Sequence, residues 1–183
     1  PAAHRLMAIV NWLYDRPTEA LVWADRSLAM AIAAVGGSKK VESPEILAKA
    51  NPYTLRYCSA LYGLVGRYER AYSLMEAATK SSSGNALAWR ALGVMSYTYG
   101  GDLEKSQICL GKAIGLCPED QPALRFRGQV LMELGRPKEA RRCFQRALDL
   151  VPHDPITLAS LALCVKAMGN AAPPGVHRLD FGL

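Results

Sequence analysis

The chain has 183 residues, of which 50% are hydrophobic and 21% are charged, and 22 basic against 16 acidic residues give a formal net charge of +6. This length suits one ordinary domain, and the apolar content excludes a disordered chain. The longest uncharged apolar run, Leu28–Val35, is far shorter than the roughly 20 residues that cross a bilayer, so we expect no membrane span and no membrane partner. The sequence opens at Pro1 without Met or a basic-then-apolar leader, and we expect a piece of a longer protein.

The cysteines are odd in number, widely spaced and without a CxxC pair: Cys58, Cys109, Cys117, Cys143 and Cys164. A secreted disulfide framework favours an even count, and a zinc site favours closely paired ligands. The pattern therefore predicts reduced thiols, no metal or other cofactor, and a cytoplasmic location, with the nucleus as the alternative. Cys109 and Cys143 hold equivalent positions, and we expect both to be buried structural thiols.

Similar segments recur along the chain at intervals of about 34 residues. Small or turn residues return at the same offsets in four successive segments, as Ala8, Asp15, Ala20 and Ser27, then Ser59, Gly66, Ala71 and Ala78, then Gly93, Gly101, Ser106 and Ala113, then Gly128, Gly135, Ala140 and Ala147. Pro155–Gly169 repeats only the first half of the pattern. The chain therefore consists of about four and a half copies of one unit.

Each unit has the pattern of two helices joined by a turn. Helical periodicity runs to a turn residue, which is Asp15, Gly66, Gly101, Gly135 or Gly169. The small residues let the two helices approach closely, and Pro118 and Pro152 end the second helix. Because one such pair cannot bury its apolar face alone, neighbouring pairs must stack, which predicts an α-solenoid.

This pattern resembles the tetratricopeptide repeat (TPR) family. Trp89, Leu92 and Gly93 reproduce the opening motif of that repeat, and Ala140, Phe144, Ala147 and Pro152 reproduce its second half. The resemblance implies an all-α, right-handed α-solenoid of about four and a half helix-turn-helix repeats.

The units follow one another with one insertion. We expect a first repeat with an extended second helix at 1–35, an insertion with a short helix at 36–51, full repeats at 52–85, 86–120 and 121–154, a half repeat or capping helix at 155–170, and a Pro-rich tail or linker at 171–183. In the insertion, Gly36 and Gly37 break the long helix, and Ser43-Pro44-Glu45 is typical of a helix start.

No catalytic motif is visible in the sequence. Gly100-Gly101 lacks the Lys-Ser/Thr that follows in a phosphate loop, and there is no nucleophile elbow or HExxH sequence. Asp102 and Asp120 are loop acids near helix starts, where they favour the helix dipole. We expect a protein that is not an enzyme.

The first helices carry a repeated basic position. The fifth residue is arginine in all four complete units, Arg5, Arg56, Arg90 and Arg125, and aromatic residues accompany it, namely Trp12, Tyr53, Tyr57, Tyr97 and Phe126. The family resemblance implies that these helices line a concave groove. Arginine with interleaved aromatic residues suits an extended acidic peptide, and the alternative is that each arginine is paired with an acid or solvated.

The sequence therefore predicts a non-catalytic scaffold or adaptor for protein interactions that binds an acidic partner segment in the groove. Single-stranded RNA on the same surface is the alternative, since phosphates and bases suit the same side chains. The chaperone-tail carboxylate clamp of some family members is absent, because alanine, valine and glutamine (Ala60, Val94 and Gln129) stand where its asparagine would be.

Basic residues are concentrated between Gln121 and Leu150, where Arg125, Arg127, Arg136, Lys138, Arg141, Arg142 and Arg146 face only three acids. Helical position places Arg141, Arg142 and Arg146 on the convex side, so we expect a solvated outer face there.

The half repeat at the end of the sequence leaves apolar residues without a second helix. We expect Leu158, Leu161 and Leu163-Cys164-Val165 to face solvent in part, and self-association through this end to cover them.

Overall fold

The computed structural model describes residues 16–36 and 44–170, and within these ranges all regular secondary structure is helical. The helices are α1 (Pro17–Ala33), α2 (Pro44–Lys49), α3 (Pro52–Leu64), α4 (Tyr68–Ser81), α5 (Ala86–Thr98), α6 (Leu103–Leu116), α7 (Gln121–Glu133), α8 (Pro137–Leu150) and α9 (Pro155–Asn170). Successive helices pack in adjacent pairs, which confirms the predicted all-α helix-repeat fold. In this part of the chain no helix combines the length and apolarity needed to cross a membrane.

The chain divides into two compact units, Pro1–Pro118 and Glu119–Leu183. In the first, α3 packs on α4, α5 packs on α6, and α4 joins the two pairs by packing on α5. Its core includes Leu28, Leu55 and Leu74. The Tyr62 hydroxyl donates a hydrogen bond to Asp25 and links α3 to α1; burial and this bond raise the pKa of Tyr62 to about 12.

The second unit contains α7, α8 and α9, and α8 packs against both of the others. Phe144 on α8 is 1% exposed and lies in a core with Leu131 and Cys164. Asp154 ties α9 to α7, because one of its carboxylate oxygens accepts hydrogen bonds from the Thr157 backbone N–H at 3.1 Å and from Gln121 Nε2 at 3.0 Å.

Side-chain caps recur one repeat apart. Asn51 precedes α3, Asn85 precedes α5 and Asp120 precedes α7, and each accepts a hydrogen bond from a backbone N–H in the first turn of the helix that follows. Such a bond satisfies one of the donors that a helix start leaves unpaired. Asp102 caps α6 in the same way, so the two predicted loop acids do stabilise helix starts.

Small residues lie where the paired helices touch. A Cβ atom on Gly93 would lie 2.7 Å from Leu110 Cγ, and one on Gly128 would lie 2.5 Å from Phe144 Cε1. The buried Ser106 hydroxyl donates to the Gly93 carbonyl oxygen at 2.7 Å and joins α6 to α5. These contacts explain why small residues return at the same offsets.

The turns between paired helices use the left-handed conformation that glycine favours. Gly66, Gly101 and Gly135 have φ values of 81°, 61° and 70°. Gly169 does not, and the prediction that it ends a helix is wrong: α9 runs through it to Asn170. Glycine permits a left-handed turn but does not force one.

The insertion has the expected helices. α1 ends at Ala33 and is followed by Gly36 with a φ of 78°, and α2 begins at Pro44. Gly37 and Ser43 lie outside the described residues, as does the predicted tail at 171–183.

The final helix is apolar on its exposed side. Leu158, Leu163 and Val165 are exposed, as expected from a half repeat. Leu161 is half-buried and keeps part of its surface in solvent, as expected, whereas Cys164 is fully buried, so the expectation that Cys164 faces solvent is wrong. Cys164 is buried against α8, where its thiol donates a hydrogen bond to the Pro137 carbonyl oxygen at 3.2 Å.

Candidate functional site

The repeated arginine has the same place in three helices. Arg56, Arg90 and Arg125 are each the fifth residue of their helices, α3, α5 and α7, and each follows a capping Asn or Asp by five positions. The shared cap sets the start of each helix, so the three side chains leave their helices at equivalent positions. Arg5 and Trp12, the corresponding residues of the first repeat, lie outside the described residues.

Arg56 is half-buried and incompletely paired. Its Nε atom is buried, and within residues 16–36 and 44–170 it has no hydrogen-bond partner. Tyr53 precedes it by three positions, which places both on one face of α3, and its side chain is 56% exposed. This face therefore presents an exposed aromatic ring beside a half-buried guanidinium group.

The other aromatic and basic residues of the first unit are more enclosed. Tyr57 packs against the core of that unit. Arg90 and Tyr97, both on α5, are half-buried, and each already interacts with another group of the chain. Tyr57 is therefore chiefly a packing residue, whereas Tyr53 is the ring that is open to a ligand.

In the second unit, Arg125 stacks on Phe126. The guanidinium carbon lies 4.6 Å from the ring centroid, and both residues are half-buried. A guanidinium group stacked on an aromatic ring keeps its N–H donors at its edge, where they can pair with a carboxylate or phosphate. The ring thus holds Arg125 in an ordered position.

Two surface cavities were not foreseen from the sequence. In the first unit, the Tyr68 and Tyr99 rings stack with centroids 4.2 Å apart beside a cavity of about 430 Å³ that Tyr72, Glu69 and Asp102 also line. Both rings lie at helix ends in separate repeats, and they hold different places in those repeats, so the periodic pattern did not indicate the contact.

The second cavity lies between α7 and α8 and has a volume of about 200 Å³. Arg127, Arg142 and Arg146 line it, and Arg142 and Arg146 are exposed, as the predicted solvated face requires. The excess of basic residues between Gln121 and Leu150 was the only sequence signal for this cluster.

Cys109 and Cys143 do not have the surroundings of reactive cysteines. Cys109 is 3% exposed and Cys143 is 9% exposed, and burial raises the pKa of both thiols. These values agree with the structural role predicted for them. Across the described ranges, no group of His, Cys, Asp and Glu side chains could hold a metal ion.

Comparison with known proteins identifies the repeat. The family model described as tetratricopeptide repeat matches residues 121–154, which contain α7 and α8. No curated protein is significantly similar to the chain in sequence.

Solved structures are similar in fold over most of the chain. MamA has a TM-score of 0.72 and 16% identity, covering 92% of this chain and 82% of that one. The first TPR of Spaghetti (RPAP3), bound to the HSP90 peptide SRMEEVD, has a TM-score of 0.62 and 17% identity, covering 64% of this chain and 93% of that one. The Arabidopsis OM64 TPR domain has a TM-score of 0.60 and 18% identity, covering 63% and 95%.

At these identities the similarity establishes the fold and not the ligand. The resemblance seen in the sequence is confirmed: residues 121–154 form a tetratricopeptide repeat, and the chain has the fold of tetratricopeptide repeat proteins.

Proposed function

We propose that this chain is a non-catalytic interaction module that binds an extended acidic segment of a partner protein on the first helices of its repeats. Arg56, Arg90 and Arg125 supply charge to the partner's carboxylates, and Tyr53 and Phe126 supply aromatic contacts. The remaining aromatic residues proposed for this surface are Trp12, Tyr57 and Tyr97. Arg5 is the fourth arginine proposed for it.

The observation that carries this proposal is the unused donor of Arg56. Its enclosed Nε atom has no partner among the described residues, so the protein alone does not fully satisfy this guanidinium group, and the proposed carboxylate completes its pairing. The exposed ring of Tyr53 on the same face adds a contact for the partner's backbone or an apolar side chain. Arg125, held in place by Phe126, supplies a second ordered guanidinium group.

A similar structure supports an acidic ligand without defining its sequence. The RPAP3 repeat was solved with the peptide SRMEEVD, which contains three acidic residues. The chain described here lacks the clamp asparagines, with Ala60, Val94 and Gln129 at those positions. We therefore propose an acidic segment that is recognised along its length and not by a terminal carboxylate clamp.

The test is binding to an immobilised library of acidic, neutral and basic peptides. We expect acidic peptides to bind, and Arg56→Gln and Arg125→Gln each to weaken binding by about tenfold, the loss of one charge-assisted hydrogen bond. The matched controls are Arg67→Gln and Arg141→Gln, which remove the same charge from exposed positions on other elements. If the controls weaken binding as much, the effect is net charge and the assigned surface is wrong.

Single-stranded RNA is the competing ligand and a second arm of the test. If an oligonucleotide binds with an affinity that falls steeply with salt, and acidic peptides do not bind, the ligand of this surface is RNA. We expect weak oligonucleotide binding even at low salt.

A further inference from the structure

The cavity between α7 and α8 has an apolar floor and a basic rim. Leu124 and Leu131, both buried, form the floor together with Cys143. Arg142 and Arg146 are four residues apart on α8, so they extend from one face of that helix. Arg127 reaches the cavity from α7, on the opposite wall. Arginine side chains from two helices therefore line one cavity.

Positive charge predominates in the cavity. The acidic side chain that lines it, Glu139, is already held by Arg136, whose Nε and Nη2 atoms lie 2.7 and 2.8 Å from its two oxygens. This bidentate bond, with smaller contributions from the positive charges of Arg127 and Arg142, holds the pKa of Glu139 below its usual range, so the carboxylate stays charged and balances part of the positive charge. Like charges four residues apart, as in Arg142 and Arg146, oppose the helix that carries them. An anion in the cavity would relieve this repulsion.

Arg127 has an unused donor at the same place. Its Nε atom is buried and lacks a hydrogen-bond partner among the residues the structure describes. Buried polar atoms in native proteins are nearly always paired, and an unpaired one calls for an explanation. Because this atom is enclosed, it shows that the described residues alone do not fully satisfy the Arg127 guanidinium group.

This cavity is separate from the surface proposed to bind the acidic segment. Arg127 follows Arg125 by two residues, which turns it by about 200° around the helix axis. The two side chains therefore leave α7 in nearly opposite directions, and Arg125 lies over Phe126 whereas Arg127 lines the cavity.

We propose that the cavity between α7 and α8 binds a phosphoryl group, carried either by a free phosphate ion or by a phosphorylated side chain of a partner. A phosphoryl group carries up to two negative charges at neutral pH and has several acceptor oxygens, so it matches three guanidinium groups better than a single carboxylate does. Its size is suitable, because a cavity of about 150 Å³ can already hold benzene.

The experiment measures binding of inorganic phosphate to the full chain by calorimetry, with acetate as the carboxylate probe. Phosphate binds and acetate binds more weakly. Arg127→Met and Arg142→Gln each weaken phosphate binding by at least tenfold, whereas Arg141→Gln, the neighbouring arginine outside the cavity lining, changes it by less than twofold. Absence of phosphate binding, equal binding of acetate, or an equal effect of Arg141→Gln overturns the proposal.

A phosphoserine peptide and its unphosphorylated twin distinguish the two sources of the phosphoryl group. Tighter binding of the phosphopeptide than of inorganic phosphate, sensitive to Arg142→Gln, identifies a modified partner. Equal or weaker binding of the peptide identifies the free ion.

A thermal measurement separates ligand binding from folding. Arg127→Met removes the unpaired donor, so its melting temperature without phosphate is at or above that of the wild type, while the rise that phosphate produces in the wild type is lost. If Arg127→Met does not fold, Arg142→Gln at the exposed rim gives the same test. A phosphate-induced rise that persists unchanged in Arg142→Gln contradicts the assignment.

Discussion

Replacing Gly128 with alanine adds one methyl group at the closest contact between α7 and α8. A Cβ atom there would lie 2.5, 2.7 and 2.8 Å from the Cε1, Cζ and Cδ1 atoms of Phe144. Phe144 is 1% exposed, so its ring cannot swing into solvent to make room. The substitution therefore forces either the ring or the helix to move.

Two opposing terms set the size of the effect. Exchanging glycine for alanine inside a helix stabilises it by about 1 kcal/mol. Overpacking a core costs about 1–3 kcal/mol, and contact with three atoms of an immobile ring favours the upper end. We expect Gly128→Ala to lower the free energy of unfolding by about 2 kcal/mol.

Gly111 on α6 provides the matched control, because a Cβ atom there would have no neighbour within 4 Å. Gly111→Ala gains the helix propensity without the clash, so it raises the free energy of unfolding by up to about 1 kcal/mol. The difference between the two variants, about 3 kcal/mol, isolates the overpacking cost.

Urea unfolding monitored by circular dichroism measures the free energy of unfolding of each variant. Hydrogen exchange read by mass spectrometry shows which helices are destabilised. Tryptophan fluorescence is unsuitable, since Trp12, Trp23 and Trp89 all precede Glu119, where the second compact unit begins. We expect faster exchange in α7 and α8 of Gly128→Ala. Equal stabilisation by both alanine substitutions would refute the close contact. Replacing the ring with the smaller leucine side chain, as Phe144→Leu in the Gly128→Ala background, is expected to recover part of the lost free energy of unfolding.

Three further outcomes are expected. Gly135→Ala is expected to destabilise the chain by about 1–2 kcal/mol in urea unfolding, because alanine resists the left-handed φ of 70°; an unchanged midpoint would contradict this. Hydrogen bonds from Thr157 hold the pKa of Asp154 below its usual range. The ionised carboxylate therefore stabilises the fold at pH values above its unfolded-state pKa of about 4. This stabilisation is lost as the pH falls through the lower pKa of the folded state. Asp154→Ala is accordingly expected to destabilise the chain at neutral pH and to approach the wild type in acid, and a difference that does not vary with pH would exclude the mechanism. For the exposed face of α9, where Leu163 and Val165 are 64% and 49% exposed, we expect concentration-dependent self-association in sedimentation equilibrium that Leu163→Lys and Val165→Lys abolish, and a wild type that stays monomeric would disprove it.

Helix pairing could be predicted from the sequence because it depends on residue size at fixed offsets. Gly93 and Gly128 recur one repeat apart, and each lies where a larger side chain would strike the second helix of its pair. The same periodicity failed at Gly169, where α9 continues to Asn170, because glycine permits a left-handed turn without requiring one.

The site was only partly predictable. The position of Arg56 and Arg125 in their helices follows from the repeat, but whether a guanidinium group is paired depends on neighbours that the periodic pattern does not specify. Arg127 shows this most clearly: the cavity it lines also needs Arg142 and Arg146, which lie on the next helix. Helical position correctly assigned those two residues to the surface but did not relate them to Arg127.

The most direct test of the proposed function is an affinity purification with the wild type and the Arg90→Glu/Arg125→Glu double variant, with and without ribonuclease, read by mass spectrometry. Circular dichroism and hydrogen exchange first establish that the variant keeps the wild-type fold. We expect protein partners with acidic segments that are retained after ribonuclease treatment and lost with the double variant. Partners that survive the charge reversal, or that disappear with ribonuclease alone, would contradict an acidic-peptide surface on the first helices.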